Sequence, residues 1–181
     1  VPTFLDSTIP TQIRSALLAL GPLDALIVDN RMNGGGLESV MKAVLGFFTE
    51  GTVGHFVSRT ATRTLDITAD PIHDSQTVPL VVLIGTNTVS YGEVFAGILQ
   101  DVGRAQLVGQ TTNGNVETLH RIDGSDGSQM WIAAERFDPL NSLADWEETG
   151  IVADVEAFAD WDTFTFENDV AVNAAVQLLG H

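Results

Sequence analysis

Two runs of consecutive apolar residues, each delivered into a turn and then a helix, constrain this chain more than any other feature. Asp24 to Asp29 (Asp-Ala-Leu-Ile-Val-Asp) has an apolar centre without alternation, as a parallel strand covered on both faces should. It runs into Asn33-Gly34-Gly35-Gly36 and then a helical pattern over Leu37 to Phe48. Leu80 to Gly85, entered through Pro79, repeats the unit, with the turn Thr86-Asn87-Thr88-Val89 and a helix over Tyr91 to Val102 that stops at Gly103. Buried strands alternating with helices predict an α/β domain with a largely parallel sheet flanked by helices. Such sheets place ligands at the carboxyl ends of their strands, and here those ends carry the serine-bearing and glycine turns.

The remaining elements decorate that core. Ser7 and Thr8 are capping candidates for a helix over Ile9 to Leu20, ended by Gly21. Thr52 to Arg59 and Thr62 to Thr68 alternate as a small antiparallel β excursion. Ala105 to Gly109 reads as a short strand, and Val116 to Ile122 with Met130 to Arg136 as a hairpin around residues 123–127. Asp169 to Leu179 closes the chain as an amphipathic helix. At 181 residues this is one domain with a core of its own. The opening Val1-Pro2-Thr3-Phe4 is strand-like with no preceding turn, and a region upstream of it is expected.

Composition removes several function classes. With 24 acidic against 8 basic residues, a net charge of −16 repels nucleic acid over most of the surface. The chain has no cysteine, so thiol nucleophiles, Cys-ligated zinc and disulfides are out. His55, His73, His120 and His181 have no metal-ligand spacing, and no metal or cofactor is expected. The apolar stretches are too short to span a bilayer.

Ser90 lies between a buried strand and a helix, where its hydroxyl projects beside the positive end of a helix dipole, a setting that suits a nucleophile. Ser90-Tyr91-Gly92-Glu93 is equally a capping box, in which Glu93 bonds back to the Ser90 amide; the two roles are compatible. Gly34-Gly35-Gly36 removes three Cβ atoms, so that backbone N–H groups can approach a substrate and hold developing negative charge, or the segment is a plain tight turn. It lacks the spaced glycines of a dinucleotide turn.

Asp29-Asn30-Arg31-Met32-Asn33-Gly34-Gly35-Gly36 resembles the Asp-Leu-Arg-x-Asn-x-Gly-Gly motif of the tail-specific, or S41, peptidases. Ser90 to Gly97 (Ser-Tyr-Gly-Glu-Val-Phe-Ala-Gly) resembles the nucleophile helix of that family, and Val108-Gly109 through Gly114 its Val-Gly-x-x-Thr-x-Gly turn. Gly150-Ile151-Val152-Ala153-Asp154-Val155 is similar to its Gly-Ile-x-Pro-Asp-Val segment, so the four motifs cover essentially the whole chain in order. The resemblance implies a crotonase/ClpP-like α/β core, here residues 1–181 as a single catalytic core domain without the family's upstream N-terminal and PDZ regions. It implies a C-terminal processing serine endopeptidase with Ser90 as nucleophile and the Gly35 and Tyr91 N–H groups as oxyanion hole. By resemblance the substrate is a peptide or unfolded protein, the upstream domains of the same protein are partners, a homo-oligomer is allowed, and the location is exported bacterial.

One departure bears on mechanism. In the Ser-Lys branch a lysine follows the Thr-x-Gly turn, whereas here the position is Asn115, whose amide cannot accept the serine proton. Lys42, the chain's one lysine, falls in the helix after the glycine turn, where a solvated role is expected. Thr112-Asn113-Gly114-Asn115-Val116 is similar instead to the tricorn-like branch, which uses serine, histidine and glutamate. That branch implies Glu147 as the glutamate, three residues ahead of Gly150, with surface charge as its other reading, and a histidine from upstream of these residues. Asp101 reads as a turn or salt-bridge residue. The alternative to an enzyme is a peptidase-like module that has lost its base and binds peptides or acts as a scaffold.

Overall fold

The computed structural model describes residues 1–158 and 165–180. Strands β1 (Leu26–Asp29), β4 (Leu80–Ile84), β5 (Gln106–Gly109) and β8 (Val155–Glu156) form an all-parallel sheet in the order β1-β4-β5-β8. Every residue of β4 is buried, which accounts for its unbroken apolar run. Leu80, Val82 and Ile84 face a core shared with α1 (Ile9–Leu20), α2 (Glu38–Leu45) and α3 (Tyr91–Asp101), while Val81 and Leu83 face Ala171 and Ala175 of α5 (Val170–Leu178). The sheet is thus sandwiched between helices, as expected.

The antiparallel excursion is larger than its two expected strands. Strands β2 (Gly51–Val57) and β3 (Thr62–Ile67) join β6 (Thr118–Asp123) and β7 (Gln129–Pro139) in a second sheet of order β3-β2-β7-β6. The hairpin is continuous with the excursion because β7 runs on to pair with β2, from Val57↔Arg136 to Gly54↔Pro139. Its outer end is a two-stranded ribbon with Met130 and Trp131 exposed.

Three local expectations are corrected. Neither Ser7 nor Thr8 caps α1 with its side chain; Thr8 is itself near-helical at φ −85, ψ −12, and Asp6 Oδ1 instead accepts from the Thr8 amide at 2.8 Å. Val1 to Leu5 is not a strand but makes one parallel bridge, Phe4 to Gly36. The pattern over Leu37 to Phe48 yields a helix only to Leu45, and Phe47 and Phe48 are buried in the turns beyond it. A short helix, α4 (Trp146–Thr149), has no counterpart among the expected elements.

Candidate active site

Ser90 sits just past the carboxyl end of β4 and has φ 57 and ψ −129; among the described residues the one other non-glycine with positive φ is His73. Such a backbone costs on the order of 1–3 kcal/mol and persists only where its surroundings over-determine it. They do so here. Thr88 Oγ1 accepts from the Gly85 amide at 3.0 Å and donates to Asn30 O at 3.0 Å, while the Val89 amide reaches Asn33 O at 2.9 Å. The return arm of the capping box is formed, with the Ser90 amide donating to Glu93 Oε2 at 3.0 Å. An N-cap residue ordinarily has extended backbone, so the turn is shaped for something besides capping.

The glycine turn is pressed against this serine. Asn30 Nδ2 donates to Gly92 O at 2.9 Å, Asn33 Nδ2 to Asn30 Oδ1 at 2.8 Å, and both asparagines are fully buried. Gly35, with φ +83, packs directly against the serine turn: a Cβ there would stand 2.7 Å from Ser90 Cβ, 3.0 Å from Ser90 Oγ and 3.0 Å from Tyr91 N. The Gly35 N–H donates to Asn33 Oδ1 at 3.0 Å. The Tyr91 N–H, at the first position of α3, has no acceptor among the described residues, as the opening donors of a helix generally do not.

The third and fourth motifs close the site from the other side. Glu93 is fully buried, and its second oxygen, Oε1, accepts from the Gly114 amide at 2.9 Å, so one carboxylate joins the serine turn to the Thr-x-Gly turn. Thr112 exchanges bonds with Ile151, amide to carbonyl at 3.1 Å and Ile151 amide to Thr112 Oγ1 at 2.7 Å. Glu147 Oε2 accepts from the amides of Val116 at 2.7 Å and Glu117 at 3.2 Å. Its carboxylate therefore holds the backbone just after Asn115, whose own side chain is exposed. Asp101 takes the Asn141 and Ser142 amides, a turn role as expected. His55 is half-buried on β2, His73 and His120 are exposed, and His181 lies outside the described residues. Lys42 lies within α2, partly buried. Among the described residues no cluster of His, Asp or Glu could hold a metal ion.

Two features were not legible as parts of the site. Glu93 was readable as a cap, but its span to Gly114 requires knowing that two distant turns meet. A line of aromatic rings, Tyr91 to Phe56 at 6.1 Å, Phe56 to Phe137 at 5.1 Å and Phe137 stacked on Trp146 at 5.3 Å, connects the residue after the serine to the one before Glu147. Burial, followed by the nearby Glu38 carboxylate, pushes the Tyr91 phenol well above its ordinary value of 10. A group so raised in the folded state favours folding below its unfolded pKa and loses that contribution as pH climbs from about 10 toward the folded value. Stability should therefore fall above pH 10, by at most about 1.4 kcal/mol per pH unit from this group. Urea unfolding across pH 9–11.5 tests it: Tyr91→Phe should flatten the decline, and an unchanged slope would assign the decline to other groups.

Residues 1–157 match the family model for peptidase family S41. Carboxyl-terminal-processing peptidase 3 of Arabidopsis thaliana chloroplasts is 31% identical over 161 residues, covering 87% of this chain and 30% of that protein. The carboxyl-terminal-processing protease of a Picosynechococcus species is 30% identical over 162 residues, covering 86% of this chain and 38% of that protein. The chain thus spans 30% and 38% of the length of these two relatives. Among solved structures, a photosystem II D1 C-terminal processing protease superposes with a TM-score of 0.74 at 28% identity, over 95% of this chain and 44% of that one. The tricorn protease shares the fold, with a TM-score of 0.66 at 17% identity, over 99% of this chain and 17% of that one. On the match over residues 1–157, with four motifs folded onto one another around Ser90, the chain belongs to peptidase family S41.

Proposed function

We propose that the chain is the catalytic core of a serine endopeptidase that cleaves peptide bonds in the tails of proteins or unfolded polypeptides. The observation that carries this reading is the strained Ser90 backbone held directly against Gly35, with the Tyr91 amide, unpaired among the described residues, beside it. In the reaction Ser90 Oγ attacks the peptide carbonyl, giving its proton to a base while the carbonyl oxygen gains negative charge. The Tyr91 N–H is the donor free to hold that charge. The Gly35 N–H joins it by sharing its hydrogen with, or turning from, Asn33 Oδ1. Collapse of the tetrahedral species then releases the amine, which takes the proton from the base; water, giving its proton to the same base, attacks the acyl-serine, and the acid leaves as the proton returns to Ser90 Oγ.

The base is a residue from outside residues 1–181, a histidine if the tricorn-like pattern holds. Glu147 acts on it from the loop it already orders, so these residues alone have little activity. Residues 1–181 are one core domain, completed by upstream N-terminal and PDZ regions that also contribute to substrate choice. Membership of the family and the chloroplast and cyanobacterial relatives favour an exported or lumenal compartment; among the described residues no helix is long and apolar enough to cross a membrane.

The second reading, a peptide-binding or scaffolding module, draws on Asn115 standing exposed where one branch has its lysine. A fluorophosphonate probe applied to the full polypeptide that carries residues 1–181 separates the two. Labelling that disappears in Ser90→Ala supports the peptidase. An unlabelled protein that still binds an extended peptide with unchanged affinity in Ser90→Ala would establish the binding module.

A further inference from the structure

Arg63 stands on β3, in the antiparallel sheet and far in sequence from every motif, yet it spans the site. Its Nη1 and Nη2 donate to Glu38 Oε1 and Oε2 at 3.0 and 2.7 Å. Its Nε and Nη2 donate to Glu135 Oε1 and Oε2 at 2.9 and 2.8 Å. Both edges of one guanidinium are thus engaged two-pronged, the geometry that makes Arg–carboxylate contacts directional. The ring of Phe56 lies beneath the cation, with Cζ 4.0 Å from its centroid.

The partners are what give the arrangement meaning. Glu38 is in the first turn of α2, two residues after Gly36, and its Oε2 also accepts from the Tyr91 hydroxyl at 3.3 Å. Glu135 accepts from Thr118 Oγ1 at 3.1 Å, two residues beyond the Val116 amide that Glu147 holds. One cation therefore ties the helix after the glycine turn, the residue after the serine, and the strand leaving the Thr-x-Gly turn. Its side chain is 40% exposed, so its ion pairs contribute little to global stability.

We propose that Arg63 is a positioning residue for the peptidase reaction: through Glu38 and Glu135 it sets the Tyr91 amide and the loop at Val116 in register with Ser90. The proposal rests on the peptidase reading of Ser90. Arg63 touches no reacting atom, and removing it leaves two carboxylates to repel each other beside Tyr91. The site is then expected to lose alignment while the fold survives.

The test compares Arg63→Gln and Arg63→Lys with Arg14→Gln in the full polypeptide. Arg14 is a matched control: it pairs with Asp70, lies over the Phe47 ring at 5.3 Å and is 39% exposed. Two readouts are taken: fluorophosphonate labelling of Ser90, resolved into maximal rate and probe affinity, and the ¹³Cζ resonance of Tyr91, the one tyrosine of residues 1–181, assigned in the full polypeptide by its disappearance in Tyr91→Phe. Arg63→Gln should slow the maximal labelling rate about tenfold or more with probe affinity within about twofold, the split expected of lost alignment. Its Tyr91 resonance should move, while Arg14→Gln changes neither. Arg63→Lys should fall between, since an ammonium restores the charge without the two-pronged geometry. Equal labelling in Arg63→Gln and Arg14→Gln, or an unmoved Tyr91 signal in Arg63→Gln, overturns the proposal. Should the unmutated protein fail to label, the peptidase reading falls, and the Tyr91 signal alone decides whether Arg63 positions the turn.

Discussion

Gly35→Ala is expected to abolish labelling of Ser90, by about 100-fold or more, in a protein that still folds. The added methyl has two independent faults. At φ +83 an L-residue is strained by about 1–2 kcal/mol. Its Cβ would also lie 2.7 Å from Ser90 Cβ and 3.0 Å from Tyr91 N, and neither of those atoms can swing away as the tip of a long side chain would. Relief requires the serine turn to back off by a few tenths of an ångström or more, which moves Ser90 Oγ and the Tyr91 amide away from Gly35. Gly34→Ala is the control, because a Cβ there meets nothing within 4 Å. Labelling kinetics with far-UV circular dichroism read the outcome: Gly35→Ala reacting as fast as Gly34→Ala would mean that the close packing of Gly35 on Ser90 does not set the reactivity of the serine.

Glu93→Gln should cost both stability and reactivity. The carboxylate is fully buried and takes one backbone N–H on each oxygen, from Ser90 and from Gly114. A glutamine of the same shape can accept on one side but must point an NH₂ at the other donor, leaving a buried donor facing a donor. Such a mismatch costs about 1–3 kcal/mol, and the two turns that Glu93 joins would part. Urea midpoints should drop accordingly, and labelling should slow by a larger factor than in Glu147→Gln, because Glu147 reaches only the loop backbone while Glu93 grips the Ser90 amide itself. Equal midpoints for Glu93→Gln and the parent protein would show that the bond to Gly114 is not maintained in solution.

These predictions give the four motifs a common physical role. Asn30 and Asn33 bind the glycine turn to the serine turn, Glu93 binds the serine turn to Gly114, and Glu147 with Thr112 binds that loop to Gly150-Ile151. The polar side chains that look like candidate chemistry are mostly occupied in holding backbone, and the proposed reaction rests on Ser90 Oγ and the Tyr91 amide.

Much of this was determined by residue order alone. Two unbroken apolar runs ending in small residues specify parallel strands with turns at their carboxyl ends, because local burial pattern and turn chemistry act within a few residues. The sheet and α3 followed from that, and the periodicity gave α1 its limits, Ile9 and Leu20. Tertiary structure alone decided the rest. The local bonds to Glu93 and Thr88 do not by themselves foretell the positive φ of Ser90, since the turn is also held by Asn33, 57 positions before Ser90. The strand expected at Val1 to Leu5 reduced to one bridge, Phe4 to Gly36, in which the Phe4 amide donates to Gly35 O and the Leu37 amide to Phe4 O. Arg63 read as one polar residue of an alternating strand, and only the folding of β3 against β2 and β7 placed it between Glu38 and Glu135. Contacts between segments far apart in the chain leave no periodic trace in it, and it is those contacts that turn four motifs into one site.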